Sequence, residues 1–305
     1  MVVIGGGAIG CELGQAFHRL GSQVTLIEAA PHILNNLNRN VAELIASRFE
    51  GEGMVVMQDS KVTAVEGSAS GGDLVVIVDD ETRVPCDQVL VAVGRRPNTA
   101  NLNLDAVGVE LDQRGHVLVD DKLETTNDHI YAGGDVVGKM PFTHTAGYHA
   151  GLVISNALFG LRRKADHEKI PFAIFCDPEV ASVGRVVANE GEELTVSHFD
   201  YEQLDRQVTT GEPVGFVDLF TDSKGRLVGA TVVGEAAGET INEMAARVHA
   251  GDKLRDIGQM VRPYPTFGEG PAKAANEVLR EQFFTPRTKK LLKPVLKVLG
   301  AVDKP

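Results

Sequence analysis

The residues best suited to chemistry stand at the start of this chain. Gly5-Gly6-Gly7-Ala8-Ile9-Gly10 is a G-x-G-x-x-G run, and Glu28 lies 18 residues beyond Gly10. In such a run Gly5 permits a tight turn, Gly7 lets backbone approach a pyrophosphate, and Gly10 lets a helix pack close to a strand. A helix starting there turns unbonded N–H groups and the positive end of its dipole toward phosphate. Glu28 is placed to hydrogen-bond the adenosine ribose hydroxyls, and its charge repels a 2′-phosphate. Ala29 and Ala30 supply no arginine to bind one. The chemistry implied is dinucleotide binding; NAD and FAD both suit the loop, and the plainer alternative is a tight turn with no ligand.

Further along, Gly133-Gly134-Asp135 sets a carboxylate after two glycines at an expected strand end. Such an aspartate can accept hydrogen bonds from sugar hydroxyls while nearby backbone N–H groups meet a phosphate. Cys11, Cys86 and Cys176 are far apart, with no C-x-x-C or C-x4-C spacing. That excludes a disulfide scaffold, a sequence-local redox dithiol and a zinc motif, so no metal site is expected. The cysteines read as structural, in a reduced, cytoplasmic setting.

These residues need elements to position them. Val2–Ile4 reads as a strand, and Leu13, Ala16, Phe17 and Leu20 repeat as the apolar stripe of a helix ending at Gly21. Gln23–Ile27 follows as a second strand, so a parallel βαβ unit is expected. A helix is expected over 41–49, then strands at 54–57, 61–66, 73–79 and 88–93. Residues 98–128 are turn-rich, Ile130–Ala132 reads as a brief strand, and 144–159 as a helix ending at Gly160. Strands are expected at 172–175, 180–183, 194–199, 214–220 and 227–233, the last two forming a hairpin through Asp222–Gly225. Ile241, Met244, Ala245 and Val248 mark one closing helix; Ala272, Ala275 and Leu279 mark another. Three sections result: 1–95, 96–166 and 167–305.

Composition narrows the function classes. Thirty basic against forty-two acidic residues give a net charge of −12, which excludes a phosphate-backbone binder and so any nucleic-acid partner. No apolar run approaches the ~20 residues of a membrane-spanning helix, and Met1 runs straight into an apolar strand rather than a leader. The segment 285–305 carries six basic residues and one acidic. It reads as a solubilising tail, with contact to an anionic membrane surface as the alternative.

Later motifs carry a resemblance. Val89–Asn98, with Gly94-Arg95-Arg96-Pro97-Asn98, resembles the strand and turn that leave the NAD domain of the pyridine-nucleotide–disulfide oxidoreductase flavoproteins. Thr125–Asp135 resembles that family's second FAD motif, and Phe175–Gly184 the opening of its interface domain. Gly225–Ala230, Gly238–Ile241 and Tyr264–Glu269 continue the match in the family's order. The subgroup most similar contains dihydrolipoyl dehydrogenase and mercuric reductase.

The resemblance implies an α/β fold: a Rossmann-like NAD-binding domain (1–95), the C-terminal part of an FAD-binding domain (96–166), and an α+β interface domain (167–305) that forms a homodimer. It implies an oxidoreductase passing hydride from NADH to FAD and on to a small-molecule acceptor. Gly5, Gly7, Gly10, Glu28 and Gly94 would serve NAD, and Gly134, Asp135, His144, Thr145 and Ala146 would serve FAD. Glu12 would lie near the nicotinamide; a helix-start glutamate favoured by the dipole is its plainer reading. Tyr264 and Glu269 occupy the family's His–Glu catalytic pair. With a reference pKa near 10, Tyr264 is a poor base at neutral pH. That argues against dithiol chemistry and resembles the mercuric reductase branch, leaving Glu269 to cap a helix or pack.

The family's FAD loop and redox Cys-x4-Cys precede its NAD domain and do not occur in these residues. The chain is thus expected to be the C-terminal two-thirds of a flavoenzyme, not competent by itself. A non-enzymatic NAD-binding and dimerisation module, or a split-enzyme subunit without flavin, is the alternative.

Overall fold

The computed structural model describes residues 1–67, 73–188 and 193–283, with 285, 288, 290 and 292–295 beyond them. Its two compact units are Met1–Cys176 and Asp177–Pro305. Most of the basic tail expected at 285–305 lies outside the described residues.

In the first unit β1 (Val2–Ile4), α1 (Ala8–Arg19) and β2 (Thr25–Ile27) form the expected unit, with β1 and β2 parallel. After α2 (Arg39–Glu52), β3 (Val55–Met57) extends the sheet. β4 (Val62–Glu66), β5 (Leu74–Val78) and β6 (Thr82–Cys86) form a separate antiparallel sheet, and β7 (Val89–Val91) returns beside β1. The parallel order is β3-β2-β1-β7. Val2 and Ile27 pack with Val76 and Val78, so the two sheets share an apolar cluster. Pattern reading missed β6 because Thr82-Arg83-Val84-Pro85-Cys86 holds a proline; β6 is an edge strand, where a missing N–H is tolerated.

The helix α1 ends where expected, with Gly21 at φ +102° donating its N–H to the His18 carbonyl at 2.9 Å. Its buried face corrects the sequence reading. Leu13, Ala16, Phe17 and Leu20 are exposed, and Gly10, Cys11, Gly14 and Gln15 are buried. Small side chains let the helix lie close to the sheet: a Cβ on Gly14 would already touch Met54, Val3 and Val24. Backbone proximity, not the apolar stripe, decides which face turns inward.

Residues 98–142 contain isolated bridges and the 3-10 turns Leu104–Val107 and Gly134–Val137. The strand expected at Ile130–Ala132 is reduced to one bridge between Glu124 and Tyr131. Two glycines follow it directly, leaving too short a run for a ladder. Next come α3 (Thr143–Phe159), ended by Gly160, and β8 (Phe172–Ile174).

The second unit is built on antiparallel strands β9 (Val180–Gly184), β10 (Thr195–Asp200), β11 (Phe216–Thr221) and β12 (Leu227–Val233), ordered β10-β11-β12-β9. The expected hairpin is β11–β12. All six residues of β11 are buried. The short helix α4 (Asp205–Val208) precedes it. α5 (Ala237–Ala250) packs on β12 and β9, and α7 (Glu269–Phe283) packs on β10, β11 and α6 (Leu254–Gly258). α4 and α6 are too short to show helical periodicity, which is why the sequence did not reveal them. Among the described residues no helix is long and apolar enough to cross a membrane.

Candidate functional site

A cleft of about 1410 Å³ lies within the first unit, at the C-terminal edge of the parallel sheet. Open α/β sheets bind ligands at that edge. Of the residues singled out by sequence, Gly5, Gly7, Glu12, Glu28, Gly94 and Asp135 line it.

The three loop glycines have different physical reasons. Gly5 has φ +105°, and a Cβ there would stand 2.6 Å from the Ala92 carbonyl oxygen, because β7 exits beside it. A Cβ on Gly10 would overlap the Gly5 carbonyl oxygen, so Gly10 sits behind the cleft and sets how near α1 approaches the turn. Gly7 has an ordinary φ of −76° and nothing within 4 Å of a Cβ position. No feature of this chain's own packing therefore demands glycine there. Gly7 also carries no side-chain cap, and the first helical bond is Cys11 N–H to the Gly7 carbonyl at 2.9 Å. The N–H groups of Ala8, Ile9 and Gly10 have no helical acceptor. An uncapped helix start with open space above it fits a dinucleotide pyrophosphate.

Glu28 braces this turn from the end of β2. One carboxylate oxygen accepts the Gly6 N–H at 2.6 Å, the other the Ala30 N–H at 2.7 Å. Sequence reading assigned it to a ribose alone; the structure adds a loop-holding role. Lys61 was missed. The Ser60 N–H bonds the Glu28 carbonyl and the Asp59 N–H the Ala30 carbonyl, both at 2.9 Å, which brings Lys61 into the same cleft. Local sequence holds no signal for this, because β3 neighbours β2 in space only through the sheet order.

Glu12 accepts the Phe175 N–H at 2.8 Å, and Phe175, 69% exposed, lines the cleft. The carboxylate is thus held in place by the strand end after β8. On the other side of the cleft, Asp135 pairs with Arg95 at 2.9 Å, and Arg95 also bonds the Pro141 carbonyl at 3.3 Å. Gly94, at φ +136°, makes the turn that delivers Arg95.

Gly134, His144, Thr145 and Ala146 gather behind Asp135 rather than lining the cleft. A Cβ on Gly134 would meet the Ala146 methyl at 3.1 Å, so small residues bring the turn against the start of α3. The Gly134 N–H is donated to buried His149 Nδ1 at 2.9 Å. His149 Nε2 lies 2.9 Å from His167 Nε2. Since His149 accepts at Nδ1, its neutral form carries the proton on Nε2 and donates it to His167. Burial and the other imidazole hold His149 below the usual histidine pKa; burial and Lys139 do the same for His167. This pair was not visible in sequence, where the histidines stand 18 residues apart. His144 donates from Nε2 to the Pro171 carbonyl at 2.7 Å and stacks on Phe142, which stacks on Phe172. Thr145 is fully buried, and its hydroxyl has no partner among the described residues. The start of α3 has no side-chain cap, and its first N–H groups have no helical acceptor.

In the second unit Tyr264 donates its hydroxyl to Asp205 at 2.9 Å, and Glu269 accepts the Thr266 N–H at 3.1 Å at the start of α7. Burial pushes the Cys11 thiol well above its usual pKa; Cys11 and Cys176 are buried and unbridged, Cys86 half-buried.

Residues 1–150 match the family described as pyridine nucleotide-disulphide oxidoreductase, and residues 170–275 match the dimerisation domain of that family. The mercuric reductase of Bacillus cereus is 34% identical over 275 residues, covering 88% of this chain and 44% of that protein. The dihydrolipoyl dehydrogenase of Staphylococcus aureus is 34% identical over 284 residues, covering 92% of this chain and 60% of that protein. The crystal structure of LpdA from Mycobacterium tuberculosis superposes with a TM-score of 0.83 at 25% identity, covering 91% of this chain and 61% of that one. This chain thus spans three-fifths or less of the length of these curated relatives. The glycine turn, the α/β sheet that carries it and both family matches converge: the chain belongs to the pyridine nucleotide-disulphide oxidoreductase family.

Proposed function

We propose that this chain supplies the NAD site, part of the FAD site and the dimer interface of an oxidoreductase similar to dihydrolipoyl dehydrogenase and mercuric reductase. Residues 1–95 form the NAD-binding domain, 96–166 the C-terminal part of the FAD-binding domain, and 167–305 the interface domain. The observation that carries the reading is Gly7, whose missing side chain makes room for something outside the protein. When bound, NADH supplies the hydride and FAD relays the electron pair to a small-molecule acceptor.

The chain's own residues bind and orient. The α1 N-terminus and Gly7 take the pyrophosphate, Glu28 accepts from the ribose with its remaining lone pairs, and Glu12 faces the nicotinamide end of the cleft. Asp135 and the start of α3, with His144, Thr145 and Ala146 in its first turn, serve the flavin. The helix dipole there favours the negative charge of reduced flavin.

NADH is expected to bind more tightly than NADPH, because Glu28 repels a 2′-phosphate. Lys61 tempers that preference, so Lys61→Ala should widen it. Titrating both nucleotides against the purified 305-residue chain by fluorescence checks this, and tighter NADPH binding would reject it.

The interface domain is expected to make a two-fold homodimer, in which a C2 contact uses the same surface on both copies. Light scattering at micromolar concentration should read twice the 32.6 kDa chain mass. A monomer would overturn the assembly.

A further inference from the structure

Tyr264 sits at the tip of the loop 261–268, which is held at both ends. On one side the Arg262 side chain is 5% exposed, its guanidinium donating to Glu243 at 2.6 Å and to the Ile257 and Met260 carbonyls. On the other, Glu269 holds the Thr266 N–H. Between these anchors Tyr264 is 69% exposed. An exposed phenol on an anchored loop still rotates about its side-chain bonds unless something holds the oxygen. Asp205, the first residue of α4, does so at 2.9 Å. The next residue, Arg206, lies over the Phe267 ring at 4.6 Å, tying α4 to the same loop a second time.

We infer that Asp205 is the positioning residue of Tyr264: its carboxylate accepts the phenolic O–H hydrogen bond and leaves the oxygen's lone pairs facing outward, so Tyr264 meets its substrate as a hydrogen-bond acceptor. This rests on the reading of Tyr264 as a residue of the acceptor site. A phenol whose proton is committed to a carboxylate cannot also donate it to a ligand. The hydrogen bond to Asp205, then its charge, burial and the Glu269 charge hold the phenol above its usual pKa of 10.0, which keeps the proton on the oxygen. The acceptor chemistry that fits is a molecule bearing an N–H or O–H group, oriented by a neutral oxygen.

The test uses two readouts. In the 305-residue chain, tyrosinate absorbance is titrated at alkaline pH, with the Tyr264 phase identified as the one lost in Tyr264→Phe. Asp205→Asn should move that phase to lower pH, while Asp205→Glu should keep it raised. In the flavin-loaded protein, Asp205→Asn should slow the acceptor step roughly threefold to tenfold and spare flavin reduction by NADH. Combining it with Tyr264→Phe should add nothing further. Asp205 is exposed, so the substitution leaves the core of the unit intact. If Tyr264→Phe slows the acceptor step while Asp205→Asn changes neither readout, the positioning role is overturned and the Tyr264 reading stands. If Tyr264→Phe leaves acceptor turnover unchanged, the Tyr264 reading falls and Asp205 falls with it.

Discussion

Gly7→Ala should weaken NADH binding while leaving the fold intact, whereas Gly10→Ala should destabilise the fold and lose NADH binding as a consequence. At Gly7 the backbone has φ −76° and a methyl meets nothing within 4 Å. Alanine at a helix N-cap is somewhat worse than glycine, so stability should change by no more than about 1 kcal/mol. The methyl would stand where a pyrophosphate approaches the helix start, and affinity should fall at least about tenfold, or ~1.4 kcal/mol. At Gly10 the methyl would overlap the Gly5 carbonyl oxygen, a backbone atom that cannot turn away. Relief requires moving α1 from the sheet, at a cost of roughly 3 kcal/mol. NADH binding is then lost because the turn itself is displaced. Urea denaturation and NADH titration of both variants separate the two effects. A Gly7→Ala chain that binds NADH like the parent would show that no phosphate sits at this turn.

The second large effect concerns flavin. The 305-residue chain assayed alone is expected to purify with substoichiometric FAD and negligible turnover. On the proposed reading Asp135 and the start of α3 would offer one side of a site, whereas bound cofactors have most of their surface enclosed. The flavin loop and the Cys-x4-Cys expected of the family do not occur among these residues. Supplying a polypeptide that carries the family's flavin loop should restore absorbance near ~450 nm and NADH-dependent flavin reduction. Stoichiometric flavin in a preparation of confirmed 32.6 kDa mass would refute the half-site picture.

Both expectations start from motifs read directly in the chain, but their physical reasons differ in origin. The βαβ unit, the dinucleotide turn, the β11–β12 hairpin and the two closing helices were legible because they are local. Apolar period, glycine stops and short spacings are all expressed within thirty residues. The α1 stripe misled, since Leu13 and Phe17 satisfy a helical period yet face outward, while Gly10, Cys11 and Gly14 carry the close approach. Hydrophobic period reports amphipathicity, not which face finds a partner.

What the sequence by itself determined was the family, the α/β class and the identity of the cleft residues Gly5, Gly7, Glu12, Glu28, Gly94 and Asp135. Only the tertiary structure decided how they are held. Glu28 clamps its own turn, Glu12 is fastened to Phe175 across 163 residues, and Lys61 enters through sheet order. His149 accepts the Gly134 N–H, and Asp205 accepts a hydrogen bond from the Tyr264 hydroxyl across 59 residues. A hydrogen bond needs two groups brought to about 2.9 Å with their directions matched. Spacing along a chain encodes that only within a turn or a helix; beyond that range, packing of whole elements sets which donor meets which acceptor.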